Sequence, residues 1–94
     1  MKKITLNGIN YEIKENVDNC FDLEEINEKI ADTDYFESYD YIFGDYSYDK
    51  VRLKGFYDSN NSNVKEINDI KNLDIYKKDY CNYGAKTFLL KKLD

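Results

Sequence analysis

Apolar and polar residues alternate along residues 3–14, with one interruption at Asn7-Gly8. Alternation with a period of two is typical of a strand that buries one of its faces. An Asn-Gly pair between two such runs favours a type I′ turn, because both central residues of that turn need positive φ. A two-residue turn places Leu6 opposite Ile9, so the apolar side chains share one face. The pattern therefore predicts a β-hairpin.

The spacing of apolar residues changes to a helical period over residues 22–36. Asp22 can cap the first turn, and Glu25 stands three residues later at the capping-box position. The apolar positions recur at helical spacing and lie at Leu23, Ile26 and Ile30. We therefore predict a first helix over residues 22–36.

The rest of the chain predicts three strands and a second helix. These elements are expected at 39–43 and 50–57 (strands), at 73–82 (a helix that Asn72 can cap) and at 87–93 (a strand). Residues 44–49 indicate a turn and residues 58–63 a polar loop, whereas residues 64–70 fit either a short helix or an edge strand. The continuous apolar run at 88–90 is typical of a strand covered on both faces, so we expect the last strand to be central.

These elements together predict an α+β fold in which residues 1–94 form a single domain. We expect a mainly antiparallel sheet of about five strands with two helices, in the order ββ–α–ββ–α–β. No run approaches the 20 or so apolar residues that a transmembrane helix needs. Met1-Lys2-Lys3 leads directly into the alternating hairpin rather than an apolar core, so we expect no secretory signal. We therefore expect a cytoplasmic protein with no membrane contact and reduced cysteines, with a monomer favoured.

Composition and charge add two observations. Lysine, asparagine, isoleucine and tyrosine are abundant and have AT-rich codons, which indicates a low-GC genome. Arg52 is the single arginine among 14 basic residues, which makes its position notable. Residues 12–49 carry thirteen acidic and two basic residues, whereas residues 50–93 carry ten basic and five acidic ones. This asymmetry fits either a solvated acidic helix or docking on a partner through the basic half.

Three blocks of the chain resemble the YutD-like family of small bacterial proteins. The blocks are residues 41–48 (YIFGDYSY), 52–57 (RLKGFY) and 80–84 (YCNYG), and the opening Asn7-Gly8 with Tyr11 is similar too. The family tends to carry Trp and Gly where Tyr46 and Ser47 stand, and often a second Cys where Ala85 stands. The resemblance implies a compact α+β domain and implies no activity. Without the second thiol, a redox role for this region is disfavoured.

The residue types present exclude several kinds of chemistry. The chain has no histidine and two cysteines, so histidine-based triads are excluded and zinc or iron–sulfur sites are disfavoured. Asp40, Asp45 and Asp49 match no calcium-loop spacing, and Asp45 could instead bond turn amides. We expect no metal and no cofactor.

The candidate binding residues are Asp45, Tyr46, Arg52 and Lys54 around the second hairpin, and Asn82 near the end of the second helix. Arg52 and Lys54 alternate with apolar residues, so they project from the face opposite the core unless that face is covered. Three interpretations stay open for them: an internal ion pair of Arg52 with an acid such as Asp45, a protein interface, or RNA binding. We expect Arg52 to make a bidentate contact, either with an acid of this chain or with a partner.

The sequence favours a non-catalytic cytoplasmic binding module for a protein or ribonucleoprotein partner. One alternative is a small enzyme with a pocket of Asp, Cys and Tyr residues, which would need a cleft that holds Asp45 beside Cys81. The other alternative is direct RNA binding, which is less favoured and would need a continuous positive patch. An enzyme remains an open possibility that the residues favour less.

Overall fold

The computed structural model describes residues 2–81 and 84–93. Five strands form one antiparallel sheet with the order β1-β2-β5-β3-β4. The strands are β1 (Lys2–Leu6), β2 (Ile9–Asn16), β3 (Tyr41–Ser47), β4 (Lys50–Phe56) and β5 (Thr87–Lys92). The helices are α1 (Leu23–Ile30) and α2 (Leu73–Tyr80). The predicted α+β class, the element order and the central position of the last strand are confirmed.

The first hairpin forms as its sequence predicts. Asn7 and Gly8 have φ of 51° and 77°, as a type I′ turn requires, and Leu6 lies opposite Ile9. The Asn7 side chain also donates a 2.6 Å hydrogen bond to the carbonyl of Ile30. The turn therefore closes the hairpin and attaches it to the end of α1.

The second hairpin differs from the prediction of a turn at 44–49. β3 continues through most of that range, and the connection to β4 is a two-residue turn at Tyr48 and Asp49, with φ of 53° and 64°. Gly44 belongs to the strand, where a Cβ atom would lie 2.1 Å from the Phe88 ring. A glycine is needed here because the Phe88 ring packs directly against the backbone of β3. This contact is distant in sequence, so the local residue pattern does not reveal it.

The two helices cover opposite faces of the sheet. The core on the α1 face contains Ile4, Leu6, Tyr11, Ile26, Ile30, Ile42, Val51, Phe88 and Leu90. The core on the α2 face contains Phe43, Phe56 and Leu73, with Tyr41, Ile70, Tyr76, Cys81 and Leu89 packed against it. Because both faces are covered, the face that carries Arg52 and Lys54 is a packed surface and not an open sheet.

The first helix is shorter than predicted. Asp22 caps it as expected and accepts a 3.1 Å hydrogen bond from the Glu25 amide. The helix ends at Ile30, where Thr33 bonds back to the Ile30 carbonyl, and a separate 3₁₀ helix follows at Tyr35–Ser38. Leu23 was expected in the apolar stripe but is exposed.

The segment that leads into α2 resolves the ambiguity at 64–70. It forms two 3₁₀ helices, Glu66–Asn68 and Ile70–Asn72, and Tyr57 bridges to Asp69 beside the end of β4. Asn72 stands at the N-cap position of α2 as predicted, but its side chain forms no capping hydrogen bond and instead donates a 3.1 Å hydrogen bond to the carbonyl of Glu66. Within the described residues, no helix has the length and apolar character of a membrane span.

Candidate functional site

Asp45 and Arg52 form an ion pair on the α2 face of the sheet. They lie directly opposite each other on β3 and β4. The Arg52 Nε and Nη2 atoms donate to the two carboxylate oxygens of Asp45 at 3.2 and 2.5 Å. The Asp45 side chain is 3% exposed and the Arg52 side chain 51%. The predicted bidentate contact is therefore present, and it is internal; Asp45 bonds an arginine rather than turn amides.

The same guanidinium group reaches the end of α2. Nη2 of Arg52 donates a 3.0 Å hydrogen bond to the carbonyl of Tyr80, the last residue of that helix. The final carbonyls of a helix have no partner within the helix, and they attract cations. We call Asp45, Arg52 and the Tyr80 carbonyl the Arg52 clamp, since they fasten the C-terminal end of α2 to the sheet.

Cys81 lies next to this clamp, so Asp45 and a thiol do converge. Burial raises the pKa of the Cys81 thiol, and the charge and hydrogen bonding of Asp45 raise it further. A thiol with a raised pKa is a poor nucleophile. The carboxylate is also occupied by Arg52 and cannot serve freely as a base. The enzyme hypothesis required a cleft that holds Asp45 beside Cys81. The two residues do lie side by side, but the Asp45 side chain is 3% exposed and is bonded to Arg52.

The remaining candidates do not join one surface. Tyr46 lies on the α1 face, where its hydroxyl donates a 2.8 Å hydrogen bond to Glu25. Burial, and then the bond to Glu25, raise the pKa of Tyr46. Lys54 lies over the Phe56 and Tyr76 rings, at 5.0 and 5.6 Å from their centroids. Asn82 lies outside the described residues.

A groove beside α2 is lined by residues that the sequence analysis did not name as candidate binding residues. It has a volume of about 360 Å³ and is lined by Glu66, Ile67, Asn72, Ile75, Tyr76, Asp79 and Tyr80. Ile67, Ile75 and Tyr80 are 58%, 60% and 55% exposed. The Tyr76 and Tyr80 rings stack at 4.9 Å. We call this feature the α2 groove.

One signal in the sequence could have pointed to the groove. By helical spacing, Leu73, Tyr76 and Tyr80 share one face of α2, and this leaves Ile75 outside that face. An isoleucine there is unusual for a short, solvated helix. Ile67 gave no comparable signal, because its place beside α2 depends on the 3₁₀ helices before that helix.

Comparisons with known proteins agree with this architecture. The sequence model of a family described as "Putative antitoxin YutD-like" matches residues 5–91. A Bacillus subtilis (strain 168) protein named "Putative antitoxin YutD" is 36% identical over 90 residues, which cover 96% of this chain and 97% of that protein. The solution NMR structure of protein yutD from B. subtilis matches with a TM-score of 0.78 and 33% identity, covering 99% of this chain and 83% of that one. On these grounds, this chain belongs to the YutD-like family.

Proposed function

We propose that this chain is a non-catalytic, cytoplasmic binding module, and that a protein partner docks in the α2 groove. The observation that carries the proposal is the clustering of exposed apolar side chains. Seven large apolar residues are exposed among those the structure describes, and three of them line this one groove. Exposed apolar patches with polar rims are typical of protein interfaces.

The chemistry of the Arg52 clamp supports a binding role over an enzymatic one. Asp45 is buried and holds Arg52 with two hydrogen bonds, and the pKa of the neighbouring Cys81 is raised. A catalytic acid, base or nucleophile needs a group that can exchange protons with a substrate. The clamp instead fastens α2, so its role is to hold Tyr80 in the wall of the groove.

The geometry also favours a protein over RNA as the direct partner. RNA-binding sheets offer exposed aromatic rings beside free cations. Here α2 covers the sheet face that carries Arg52 and Lys54, and both cations are engaged by internal groups. The charges that line the groove come from Glu66 and Asp79, which repel phosphates.

The family description supports the same kind of partner. The descriptions of the B. subtilis relative and of the family model both contain the words "Putative antitoxin". Carried over to this chain, that description implies a molecule that acts against another one by binding it. A module with an exposed apolar groove and a thiol of raised pKa fits such a role without any catalysis.

Photo-crosslinking can test the proposal. A photoreactive phenylalanine analogue is placed at Ile75 in the groove, or at Tyr35 as a matched control, since both side chains are 60% exposed. Each protein is mixed with cytoplasmic extract of the bacterium that encodes it, with and without nuclease. We expect a discrete protein adduct from position 75 that survives nuclease and is lacking from position 35.

Substitutions give the second arm of this experiment. In a chain without the crosslinker, Ile75→Glu should abolish capture of that protein, whereas Tyr35→Glu should leave capture unchanged. Circular dichroism and denaturation first establish that both variants fold. Identical adducts from the two positions, or full capture by Ile75→Glu, would contradict the proposal. Loss of the adduct after nuclease would instead show a partner held through RNA.

A further inference from the structure

We infer that the segment of the partner protein that occupies the α2 groove carries an apolar side chain flanked by lysine or arginine. The inference rests on the proposed function and adds the chemistry of the ligand. The apolar part of the groove accounts for the anchor, because Ile67, Ile75 and Tyr80 present their side chains there. The charges along the same groove specify what lies beside the anchor.

Both charged residues that line the groove are acidic. Glu66 comes from the 3₁₀ helix before α2 and Asp79 from the last turn of α2. Both residues are exposed, and neither carboxylate forms an ion pair within residues 2–81 and 84–93. Two carboxylates without a cation beside an apolar surface are complementary to a basic and apolar segment.

The lysines near the groove do not neutralise it. Lys71 pairs with Asp69 at 3.7 Å, and Lys77 pairs with Glu15 at 2.7 Å. Lys65, which precedes Glu66, and Lys78 on α2 are both exposed, but neither is among the residues that line the groove. A cation for these carboxylates therefore has to come from the bound molecule.

The same charges disfavour two other occupants. A second copy of this chain docked groove to groove would bring Glu66 and Asp79 against their own counterparts, and like charges in an interface are unfavourable. A nucleic acid would bring phosphates to the same carboxylates. A basic segment is attracted both by the groove and by the whole chain, whose net charge is −5.

A peptide selection tests this inference. A displayed library of random 12-residue peptides is selected on the wild-type chain and counter-selected on Ile75→Glu, so that only groove-dependent peptides remain. We expect an apolar residue with lysine or arginine nearby. Selection on the double variant Glu66→Lys/Asp79→Lys should instead enrich acidic peptides.

Affinities of one selected peptide provide the matched control. Exposed ion pairs are weak individually, so Glu66→Lys/Asp79→Lys should weaken binding about 2- to 30-fold and reduce its dependence on salt. The control variant Glu24→Lys/Asp34→Lys makes the same change in net charge at exposed positions outside the groove. It should change the affinity for the peptide by less than about 2-fold.

The outcomes separate the two proposals. Groove-dependent peptides without enrichment of basic residues, or equal losses in both double variants, overturn the inference about charge and leave the docking surface intact. Failure to recover any peptide that discriminates between wild type and Ile75→Glu contradicts both the inference and the proposed function.

Discussion

Replacing Arg52 with lysine tests the Arg52 clamp, because it keeps the positive charge and removes the planar fork. The guanidinium group donates two hydrogen bonds to Asp45 and a third to the Tyr80 carbonyl. The ammonium group of lysine lacks this fork of donors. It can keep one charge-assisted hydrogen bond to the Asp45 carboxylate but cannot also reach the Tyr80 carbonyl. The substitution should therefore loosen the end of α2 as well as the ion pair.

The cost can be worked from these contacts. Two lost hydrogen bonds, at about 0.5–1.5 kcal/mol each, give about 1–3 kcal/mol. The Arg52 side chain is 51% exposed, so water replaces part of what is lost, whereas Asp45 is 3% exposed and is left poorly satisfied. We therefore expect Arg52→Lys to lower the free energy of unfolding by about 1–2 kcal/mol. For a domain of this size, each kcal/mol corresponds to a Tm lower by about 4–8 °C.

The assay is urea denaturation followed by circular dichroism, with Asp45→Asn and the double variant completing a cycle. We expect a coupling energy between the two positions of about 1 kcal/mol or more. Lys50→Gln serves as control, because Lys50 is an exposed residue of the same strand, and it should stay within about 0.5 kcal/mol of wild type. The folded fraction of Arg52→Lys should still capture the partner, but more weakly, because the Tyr80 end of α2 is held less firmly to the sheet. A stability of Arg52→Lys equal to that of the control would refute the clamp.

Three other predictions concern the rest of the fold. Gly8→Val should lower the free energy of unfolding by about 1 kcal/mol or more, since φ at Gly8 is 77°; an unchanged urea midpoint would contradict the turn geometry. Burial acts to raise the pKa of Glu15, but hydrogen bonds and the charge of Lys77 outweigh it, so the folded pKa is below 4.5. The stability that Glu15 contributes is thus present above about pH 4.5 and is lost as the pH falls. In a plot of the urea midpoint against pH, Glu15→Gln should therefore show a smaller decrease below pH 4.5 than the wild type. Burial raises the pKa of Cys20 and Cys81, so both free thiols should alkylate more slowly in native protein at pH 7.5 than in denatured protein, as measured by mass spectrometry; equal rates would argue against that burial.

The elements that could be predicted are those whose cause is local. Asn7-Gly8 specifies its turn through the φ values that these two residues accept, and Asp22 caps α1 through an amide three residues away. The central position of β5 followed from its unbroken apolar run. The bidentate contact of Arg52 was also predictable, because Asp45 was among the acids expected across the second hairpin.

The elements that could not be predicted depend on contacts distant in sequence. The sequence predicts that Gly44 belongs to a turn, yet Gly44 lies in β3, where the absence of a side chain leaves space for the Phe88 ring of β5. The sequence does not show whether the sheet face that carries Arg52 is exposed or covered, because this depends on how α2 packs against the sheet. The α2 groove combines residues from two 3₁₀ helices and from α2, and no spacing in the sequence shows how such elements meet.

The central claim is that a protein partner occupies the α2 groove, and isoleucine methyl signals in NMR spectra test it most directly. The chain, labelled at isoleucine methyl groups, is titrated with the protein captured by the crosslinker at position 75. The account predicts that the Ile67 and Ile75 signals shift until saturation, whereas the signal of Ile26, which is 0% exposed on the buried face of α1, stays in place. Unchanged Ile67 and Ile75 signals at saturation with a bound partner would contradict the account.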